Sequence, residues 1–326
     1  MKFSVIIPVY NCAPYLRECL DSVARATEEV ERRGGEWKVP SLVEVICVDD
    51  GSTDGSSEIL DEFQREVERR GGGGEWRVIH QGNRGVSAAR NAALEVATGD
   101  WVLFLDGDDV FADNAFVSLG AAASAHPNAD LIRFKGVRFE RTDAIDWRSP
   151  RRFDGFWTML YARRICGQMR FCGFRYGEDR VFMAEATTAA VEVAEVCEAL
   201  YGYRQNPTSA MGVRISADRV RSRVECPLRV LEIYGHRPDR LADGARRGLE
   251  NEYLESFWEE FEKIGKSERA ELRDLWRANL DRFLGIGHVR GFNRLRARTL
   301  RCCSWGVLVF VLCRAPMILK RMGVHR

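Results

Sequence analysis

The sequence predicts an α/β protein in which a mostly parallel, Rossmann-like sheet is flanked by helices and followed by a helical C-terminal extension. Two observations support this class. Over about the first 105 residues, short aliphatic or β-branched runs alternate with longer segments whose apolar residues recur at helical spacing. Each short run also stops abruptly in polar residues. Strands that alternate with helices in this way form parallel, doubly wound sheets.

The elements of this first part can be predicted in order. The segment after the first apolar run places Leu16, Cys19 and Val23 at helical spacing, and Gly34 and Gly35 end that helix. The same reasoning applies to the segments that follow it. Strands are predicted at 2–8, 43–48, 76–80 and 101–105. Helices are predicted at 12–33, 56–70 and 86–97.

Beyond Phe111 the alternation is less regular. Helices are predicted at 114–125, 156–165 and 180–190, and strands at 130–140 and 193–203. Residues 227–301 are largely charged and helix-favouring. We therefore predict a sheet domain at 1–215, a helical C-terminal region at 216–301 and an apolar and basic tail at 302–326.

Composition is typical of a globular protein with a sizeable core, since 45% of the residues are hydrophobic and 30% are charged. The ten cysteines include no C-x-x-C pair, which favours reduced thiols and a cytoplasmic location over a disulfide framework. The N-terminus MKFSVIIPVY enters a strand without a long apolar leader, so we expect no signal peptide.

Three carboxylates follow the strand at 101–105, namely Asp106, Asp108 and Asp109. Unpaired carboxylates are too costly to bury in a protein core. We therefore expect these three to lie where the strand emerges at the carboxyl edge of the sheet. Ligands bind at that edge in open α/β sheets, and clustered hard oxygens suit Mg²⁺ or Mn²⁺ with a bound phosphate. The alternative is an acidic turn that closes the strand.

Polar residues also follow the first two strands. Tyr10 and Asn11 come after the first strand, and Asp49 and Asp50 come after the second. Because the carboxyl ends of parallel strands meet at one edge, these side chains converge with those after residue 105. The hydroxyl of Ser52 or Thr53 can equally serve as the cap of the next helix.

Five sequence blocks resemble the family 2 glycosyltransferases, which have the GT-A nucleotide-diphospho-sugar-binding fold. In this sequence the blocks are SVIIPVYNCAPYLRECLDSV, VICVDDGSTDGS, GNRGVSAARNAAL, GDWVLFLDGDDVF and GEDRVF, and they stand in the order of that family. The resemblance is dense over 3–111 and sparser over 154–209. It implies that 1–215 is the nucleotide-sugar-binding and catalytic domain.

The resemblance implies a nucleotide site. Asp49 and Asp50 match the acids that hold the base and ribose, because a carboxylate accepts hydrogen bonds from a base N–H or a ribose hydroxyl. Arg90 is expected to approach the base or the diphosphate, with an ion pair on the helix surface as the alternative. Three further residues are expected to line the same pocket: Pro8, Tyr10 and Asn11.

Asp106 and Asp108 match the family's metal motif, which implies Mn²⁺ or Mg²⁺ as cofactor. A divalent cation stabilises the charge that develops on a leaving diphosphate. Asp106 is also expected to direct one oxygen toward the nucleotide. For Asp109 we leave ligation, capping and a supporting role open.

Glu178 and Asp179 resemble the family's Glu-Asp pair, in which the aspartate is the catalytic base. An acceptor hydroxyl needs a carboxylate to take its proton as it attacks, and a single displacement inverts the anomeric configuration. Glu178 is expected to orient the acceptor, and a helix start enriched in acids is the structural alternative. Trp157 matches a tryptophan near the sugar or acceptor, and Arg204 matches a residue that binds phosphate; packing or a turn is the alternative for each.

The C-terminal end is strongly basic. From residue 282 to 326 there are ten Lys or Arg and no Asp or Glu, around the apolar run CCSWGVLVFVL. A run of this length is too short to span a bilayer, and flanking basic residues favour an interfacial segment. We expect 290–326 to associate with an anionic membrane surface at the inner face of the cell membrane, and packing of this segment on the body of the protein is the alternative.

These observations predict an inverting, metal-assisted glycosyltransferase that uses a nucleotide-diphosphate donor, UDP-linked by expectation, and a glycan or lipid-linked glycan acceptor. The resemblance also implies polysaccharide biosynthesis at the cell envelope. No nucleic-acid partner is expected. A non-catalytic relative that binds a nucleotide-sugar or a glycan is the alternative from another class. A nucleotidyltransferase is less consistent with the sequence, because PVYNCAPY is not a glycine-rich, basic phosphate loop.

Overall fold

We describe the protein from a computed structural model. The described residues are 1–33, 43–71, 73–153, 155–205, 217–241, 243–251, 253 and 264–286. The predicted tail at 302–326 and the whole of 290–326 lie outside these ranges, as does the last part of the predicted sheet domain. Within the described ranges, no helix is both long enough and apolar enough to cross a bilayer.

The described residues divide into two compact units. One unit lies within Met1–Gly173 and Ala189–Ser209, and the other lies within Phe174–Thr188 and Ala210–Arg326. The first contains the sheet and its flanking helices. The second contains the helix that begins with the predicted Glu-Asp pair, together with the C-terminal helices.

The first unit is built on an eight-stranded sheet with the spatial order β3-β2-β1-β4-β7-β6-β8-β5. The strands are β1 (Phe3–Val9), β2 (Val43–Asp49), β3 (Glu75–His80), β4 (Trp101–Phe104), β5 (Val110–Phe111), β6 (Leu131–Phe139), β7 (Met159–Ala162) and β8 (Val193–Arg204). The helices of this unit are α1 (Ala13–Arg33), α2 (Ser56–Arg70), α3 (Val86–Val96), α4 (Ala115–Ala125) and α5 (Arg163–Cys166).

The sheet has a parallel half and a mixed half. Strands β3, β2, β1 and β4 are parallel, as the alternation of strands and helices predicted. Strand β7 runs antiparallel to β4 and β6, and β5 runs antiparallel to β8. Every residue of β1 and β2 is buried, which explains why most of their residues are apolar. The predicted α/β class is confirmed.

One predicted helix is wrong. Residues 156–165 form a short 3-10 helix (Phe156–Thr158), then strand β7, then the short α5. All four residues of β7 are buried, and Trp101 pairs with Ala162 while Leu131 pairs with Tyr161. Pairing with two strands that are distant in sequence therefore overrides the local helical pattern.

The second unit has four helices in the described residues: α6 (Glu178–Ala189), α7 (Ala217–Gly235), α8 (Asp243–Asn251) and α9 (Lys266–Gly285). The aromatic rings of Tyr253 and Trp276 are both buried and stacked with centroids 6.2 Å apart. The ring of Phe283 also stacks on that of Tyr253, with centroids 4.7 Å apart. These rings give the helical unit an apolar core of its own.

Candidate active site

The loops that follow β1 and β2 are joined by hydrogen bonds. Asn11 has a positive φ of 50°, and its side-chain oxygen accepts a hydrogen bond from the backbone N–H of Thr53 over 2.8 Å. In return, the backbone N–H of Asn11 donates to the hydroxyl of Ser52 over 3.1 Å. Tyr10 is 51% exposed beside this junction, whereas Pro8 is buried within β1. The two strand ends thus form one fixed rim with an accessible tyrosine ring.

Asp49 is buried at the end of β2, where only 2% of its surface is exposed. Its carboxylate accepts hydrogen bonds from the backbone N–H of Ser52 over 3.0 Å and from the hydroxyl of Ser57. The ring of His80 lies 3.2 Å away. Burial acts to raise the pKa of Asp49, but the hydrogen bonds from Ser52 and Ser57 outweigh it and lower that pKa. Asp49 is therefore held as a carboxylate.

Asp50 organises the loop between β3 and α3. It is buried, and one of its oxygens accepts hydrogen bonds from Gln81 Nε2 over 2.7 Å and from the backbone N–H of Arg84 over 2.9 Å. Its other oxygen accepts from the backbone N–H of Gly85 over 2.7 Å. Gly85 has a φ of 90°, a left-handed conformation that favours glycine. A carboxylate at residue 50 thus fixes the turn that leads into α3.

Arg90 forms a buried ion pair with Asp106. The Nη2 atom of Arg90 lies 2.9 Å from Asp106 Oδ1, and the arginine side chain is 5% exposed. Its guanidinium also stacks on two rings, with centroids at 4.5 Å for Phe156 and 5.1 Å for Phe171. Arg90 is therefore fixed next to the predicted metal motif, and not on the helix surface as the alternative had it.

The three acids after β4 differ in environment. Asp109 is buried, and its carboxylate accepts hydrogen bonds from the hydroxyl of Tyr201 over 2.5 Å and from the backbone N–H of Arg204 over 2.7 Å. Burial and the negative charges of Asp106 and Asp108 raise the pKa of Asp109 well above its usual range. Asp106 and Asp108 are only partly buried. Asp109 therefore supports the loop from within, while the other two acids reach its surface.

Arg204 secures the same loop from β8. Its Nε donates a hydrogen bond to the backbone oxygen of Asp108 over 2.7 Å, and its Nη2 lies 2.5 Å from the carboxylate of Glu18. The guanidinium also stacks on Tyr15 and Phe139, at 4.8 Å and 4.5 Å from the ring centroids. The side chain of Arg204 is only 5% exposed, and all of these contacts are made within the protein. Its predicted phosphate contact stays a prediction.

Trp157 is part of an aromatic cluster. Its ring is stacked on Tyr203 with an interplanar angle of 6° at 5.2 Å, and it lies 4.5 Å from the ring of Tyr201 and 4.9 Å from that of Phe153. Tyr201 carries the hydroxyl that binds Asp109. Trp157 therefore packs directly on the side chain that supports the acidic loop, and its predicted contact with sugar or acceptor remains to be tested.

Glu178 and Asp179 begin α6 in the second unit. Both are partly buried, and Asp179 Oδ1 accepts a hydrogen bond from the backbone N–H of Arg180 over 2.8 Å. Gly177, with a φ of 83°, precedes them. A carboxylate at a helix start is held in place at the end of the helix, which fits the predicted base.

The donor set at the sheet edge fits a divalent cation. Asp106 and Asp108 offer hard oxygens near the surface. Burial and their charges raise the pKa of Asp109, and burial and the charges of all three acids raise the pKa of Tyr203. A cation there would offset that negative potential. Within the described residues, no three His, Cys, Asp or Glu side chains form a metal-binding group. Two carboxylates suit Mg²⁺ or Mn²⁺, which keep waters or substrate phosphates as their remaining ligands.

A model of glycosyl transferase family 2 matches residues 4–184, more than half of the chain. The chain belongs to glycosyl transferase family 2. The match spans both the sheet edge and the Glu-Asp pair, and it confirms the resemblance and the glycosyltransferase class predicted from the five sequence blocks. It does not assign a role to any single residue.

Curated relatives agree with this membership. The chain is 30% identical to the uncharacterized glycosyltransferase EpsJ of Bacillus subtilis over 231 residues. The aligned region covers 63% of this chain and 62% of EpsJ. It is 26% identical over 250 residues to glycosyltransferase GlyG of Streptococcus pneumoniae, covering 68% of this chain and 77% of GlyG. The chain thus spans somewhat less than two thirds of the length of EpsJ.

The fold of this family 2 chain is also found among solved structures. It superimposes on residues 1–349 of S. aureus TarS in complex with UDP with a TM-score of 0.61 at 20% identity, covering 99% of this chain and 92% of that one. The corresponding complex with UDP-GlcNAc gives a TM-score of 0.58 at 21% identity, covering 88% and 81%. At this level of identity the likeness shows the fold alone, and it confirms the predicted GT-A architecture.

Sequence reasoning missed two residues of the sheet edge. His80 contacts both Asp49 and Asp61, and Tyr201 binds Asp109. His80 stands at the end of a predicted parallel strand, so the rule that located Asp49 also applied to it. For Tyr201 the sequence carries no comparable signal, because its partner is separated from it by 92 positions.

Proposed function

We propose that this protein is an inverting glycosyltransferase that moves a sugar from a nucleotide-diphosphate donor to a hydroxyl of a glycan or lipid-linked glycan. One observation carries the proposal: polar side chains from three parallel strand ends meet at one sheet edge, with the Arg90–Asp106 ion pair and the partly exposed Asp108 beside them. Family membership and the ligands named for the TarS complexes support a UDP-linked donor.

The donor would bind at the sheet edge. Tyr10 is an accessible ring for a nucleotide base, and Asp49 and Asp50 are proposed to hold base and ribose through their carboxylates and the loops they fix. Arg90 would keep Asp106 oriented toward the donor. A divalent cation held by Asp106 and Asp108 would supply stabilisation of the charge on the leaving diphosphate.

The acceptor hydroxyl would be activated by Asp179. Its carboxylate takes the hydroxyl proton while the acceptor oxygen forms a bond to the anomeric carbon, and the bond from that carbon to the diphosphate oxygen breaks. The nucleoside diphosphate leaves with the electron pair. Glu178 would orient the acceptor. One displacement of this kind inverts the anomeric configuration.

A screen of nucleotide-sugars for Mn²⁺- or Mg²⁺-dependent release of nucleoside diphosphate tests this function. Asp179→Asn should reduce transfer by at least about a hundredfold, the scale expected for loss of a general base, and leave donor affinity within about twofold. Asp218→Asn removes an exposed carboxylate of the same unit and should have no effect. Undiminished turnover in Asp179→Asn would falsify the assignment of the base.

The competing function is binding of a nucleotide-sugar or glycan without catalysis. It would give donor binding with no turnover of any nucleotide-sugar in the screen, with or without metal. Two partly exposed acids on the sheet edge and a carboxylate at a helix start supply the groups that transfer needs, which favours the enzyme.

Association with an anionic membrane surface through 290–326 is part of the proposal, and it would bring the enzyme to a lipid-linked acceptor of cell-envelope polysaccharide. The basic and apolar composition of this segment supports it. Co-sedimentation with anionic liposomes, with and without 290–326, tests it. Equal pelleting of both proteins would contradict this part of the proposal.

A further inference from the structure

His80 ends β3 and lies between two carboxylates from neighbouring elements. Its Nδ1 atom is 3.2 Å from Asp49 Oδ2 at the end of β2, and its Nε2 atom is 3.0 Å from Asp61 Oδ1 on α2. Strand pairing sets this position, because β3 is parallel to β2 and His80 is the register partner of Asp49. The imidazole is thus held by both of its ring nitrogens.

These contacts select one protonation state of the ring. An ionised carboxylate only accepts hydrogen bonds, so a ring nitrogen that binds one must carry a hydrogen. A neutral imidazole has a single N–H, whereas both nitrogens of His80 face an aspartate. Only the imidazolium donates to Asp49 and Asp61 at once. The geometry therefore favours a positively charged His80 in the folded protein.

His80 is the cation that offsets the charge of Asp49. The side chain of Asp49 is 3% exposed, and its other hydrogen bonds come from neutral groups. In the part of the chain that the structure describes, no lysine or arginine forms an ion pair with it. Asp106, by contrast, is paired with the permanently charged Arg90. Of these two acids of the sheet edge, Asp49 is the one whose counter-charge can be lost by titration.

The charged groups that face the ring come from the two elements packed against it. They are Asp49 from β2 and Asp61 from α2. Arg65, one turn further along α2, donates from its Nε to the backbone oxygen of Asp61 over 3.0 Å. The hydroxyl of Ser57 lies 3.3 Å from Nδ1 and is neutral. The surroundings of the ring are therefore acidic on both of its nitrogen-bearing sides.

Loss of a proton from His80 leaves one N–H for two carboxylates. Burial decides which contact is kept, because the side chain of Asp61 is 52% exposed and can take water in place of the ring, whereas that of Asp49 is buried. The neutral ring thus keeps its Nδ1–H on Asp49 and releases Asp61. Asp49 retains a donor but loses the adjacent positive charge, and a buried carboxylate without a counter-charge is less favourable.

Resting on the proposed function, we propose that His80 is a positioning residue of the nucleotide site, whose protonated ring holds Asp49 at the sheet edge and offsets its charge so that the donor binds more tightly. The donor brings a negatively charged diphosphate to an edge that already carries the acids after β2 and β4. One positive charge beside Asp49 favours its binding there. Asp61 acts through His80, because it keeps the ring protonated.

The test follows binding of UDP methylated on its terminal phosphate to the full-length protein with Mg²⁺, by isothermal titration calorimetry from pH 5.5 to pH 9. The methyl ester is used because a terminal phosphate titrates near about pH 6. His80→Gln keeps a neutral N–H donor and reports how every other group titrates. We expect the unaltered protein to bind about fivefold more tightly than His80→Gln at pH 5.5, the scale of one partly screened charge, and equally at pH 9.

Asp61→Asn separates the charge of the ring from its packing. This change keeps an oxygen that accepts from the Nε2–H but removes the negative charge that favours the protonated ring. The midpoint of the pH range over which the fivefold advantage is lost should therefore move to lower pH, while the affinity at pH 5.5 stays within about twofold. Glu62→Gln, an exposed neighbour on the same helix, is the matched control and should leave the midpoint in place.

A purely structural role of His80 would weaken binding by the same factor at every pH. A constant affinity ratio between the unaltered protein and His80→Gln, or a midpoint that Asp61→Asn does not move, therefore overturns the proposal. Circular dichroism at each pH identifies any variant that has unfolded.

A separate transfer assay distinguishes this inference from the proposed function. Binding with the expected pH dependence but no turnover of any nucleotide-sugar would refute the transferase and leave the role of His80 in place. Turnover with a pH-independent affinity ratio would refute only the role of His80. Absence of binding of the ester at every pH would refute the UDP-linked donor and this inference together.

Discussion

The hydroxyl of Tyr201 donates a hydrogen bond of 2.5 Å to the buried carboxylate of Asp109 and accepts one of 3.3 Å from the backbone N–H of Asp106. Tyr201 lies on β8, whereas both partners lie in the loop after β4. A single phenol therefore supports the acidic loop at two points. This arrangement gives Asp109 the supporting role that its position in the sequence left open.

Tyr201→Phe should destabilise the loop, because it leaves a buried carboxylate oxygen without its donor. We expect a loss of about 1–3 kcal/mol in the free energy of unfolding and weaker Mn²⁺ binding in the presence of UDP. Chemical denaturation and Mn²⁺ titration measure the two effects. Tyr203→Phe is the control, since the ring of Tyr203 stacks on Trp157 in the same cluster. Equal Mn²⁺ affinity in both variants and the unaltered protein would count against a supporting role.

Arg90→Met should weaken both the fold and donor binding. It removes the ion pair to Asp106 but retains apolar contact with Phe156 and Phe171. Because Asp106 is partly exposed, we expect a stability loss of only about 1.5–3 kcal/mol. Isothermal titration with UDP should show at least about tenfold lower affinity. Arg25→Met, which breaks an exposed pair with Asp113, should change neither quantity.

Glu44 should make the sheet unit sensitive to acid. Burial acts to raise its pKa, but hydrogen bonds from Ser4, Thr98 and Lys2 outweigh it and lower the pKa to about 2. A carboxyl whose pKa is lower in the folded state stabilises the fold above its unfolded pKa, and that contribution is lost as the pH falls toward 2. Glu44→Gln should therefore cost up to about 3 kcal/mol at pH 7 and much less near pH 3.

Thermal unfolding of the two proteins at both pH values measures this difference. Glu75→Gln is the control, because Glu75 is exposed and also contacts Lys2. A difference between the Glu44→Gln variant and the unaltered protein that stays constant with pH would show that the effect comes from packing and not from ionisation.

The contribution of His80 to stability should depend on pH in the opposite direction. Burial acts to lower its pKa, but hydrogen bonds with Asp49 and Asp61 outweigh it and raise the pKa. Its stabilising contribution is complete below the unfolded pKa of 6.5 and is lost as the pH rises through the higher folded value. The difference in melting temperature between the unaltered protein and His80→Asn should thus be larger at pH 6 than at pH 9.

His126→Asn provides the comparison, since its ring lies 3.9 Å from Glu192 and both side chains are exposed. A melting-temperature difference for His80→Asn that grows with pH would contradict the prediction. UDP affinity measured over the same pH range would show whether the contact of His80 with Asp49 also matters for the donor.

The parallel half of the fold could be predicted because its signals are local. Alternation of strands and helices is visible within about 105 residues, and the polar residues after β1, β2 and β4 follow from where a buried strand must end. The helix predicted at 156–165 was wrong because strand β7 depends on pairing with Trp101 and Leu131, which no local pattern records.

The candidate site shows the same limit. Asp108 and Asp109 are adjacent and chemically identical, so the sequence offers no basis for choosing which one faces inward. The choice depends on Tyr201 and Arg204, which are 92 to 96 positions away. For Asp50 the resemblance predicts only contacts with base and ribose. In the structure, both of its carboxylate oxygens accept hydrogen bonds from the turn before α3.

The bonds from β8 to the acidic loop also impose an order on biosynthesis. Strands β1 to β4 can pair as soon as about the first 105 residues have left the ribosome. The loop after β4 gains its bonds to Tyr201 and Arg204 only once residue 204 has been added. A nascent chain with its parallel half complete therefore still lacks the bonds that Tyr201 and Arg204 make to the loop at 106–109.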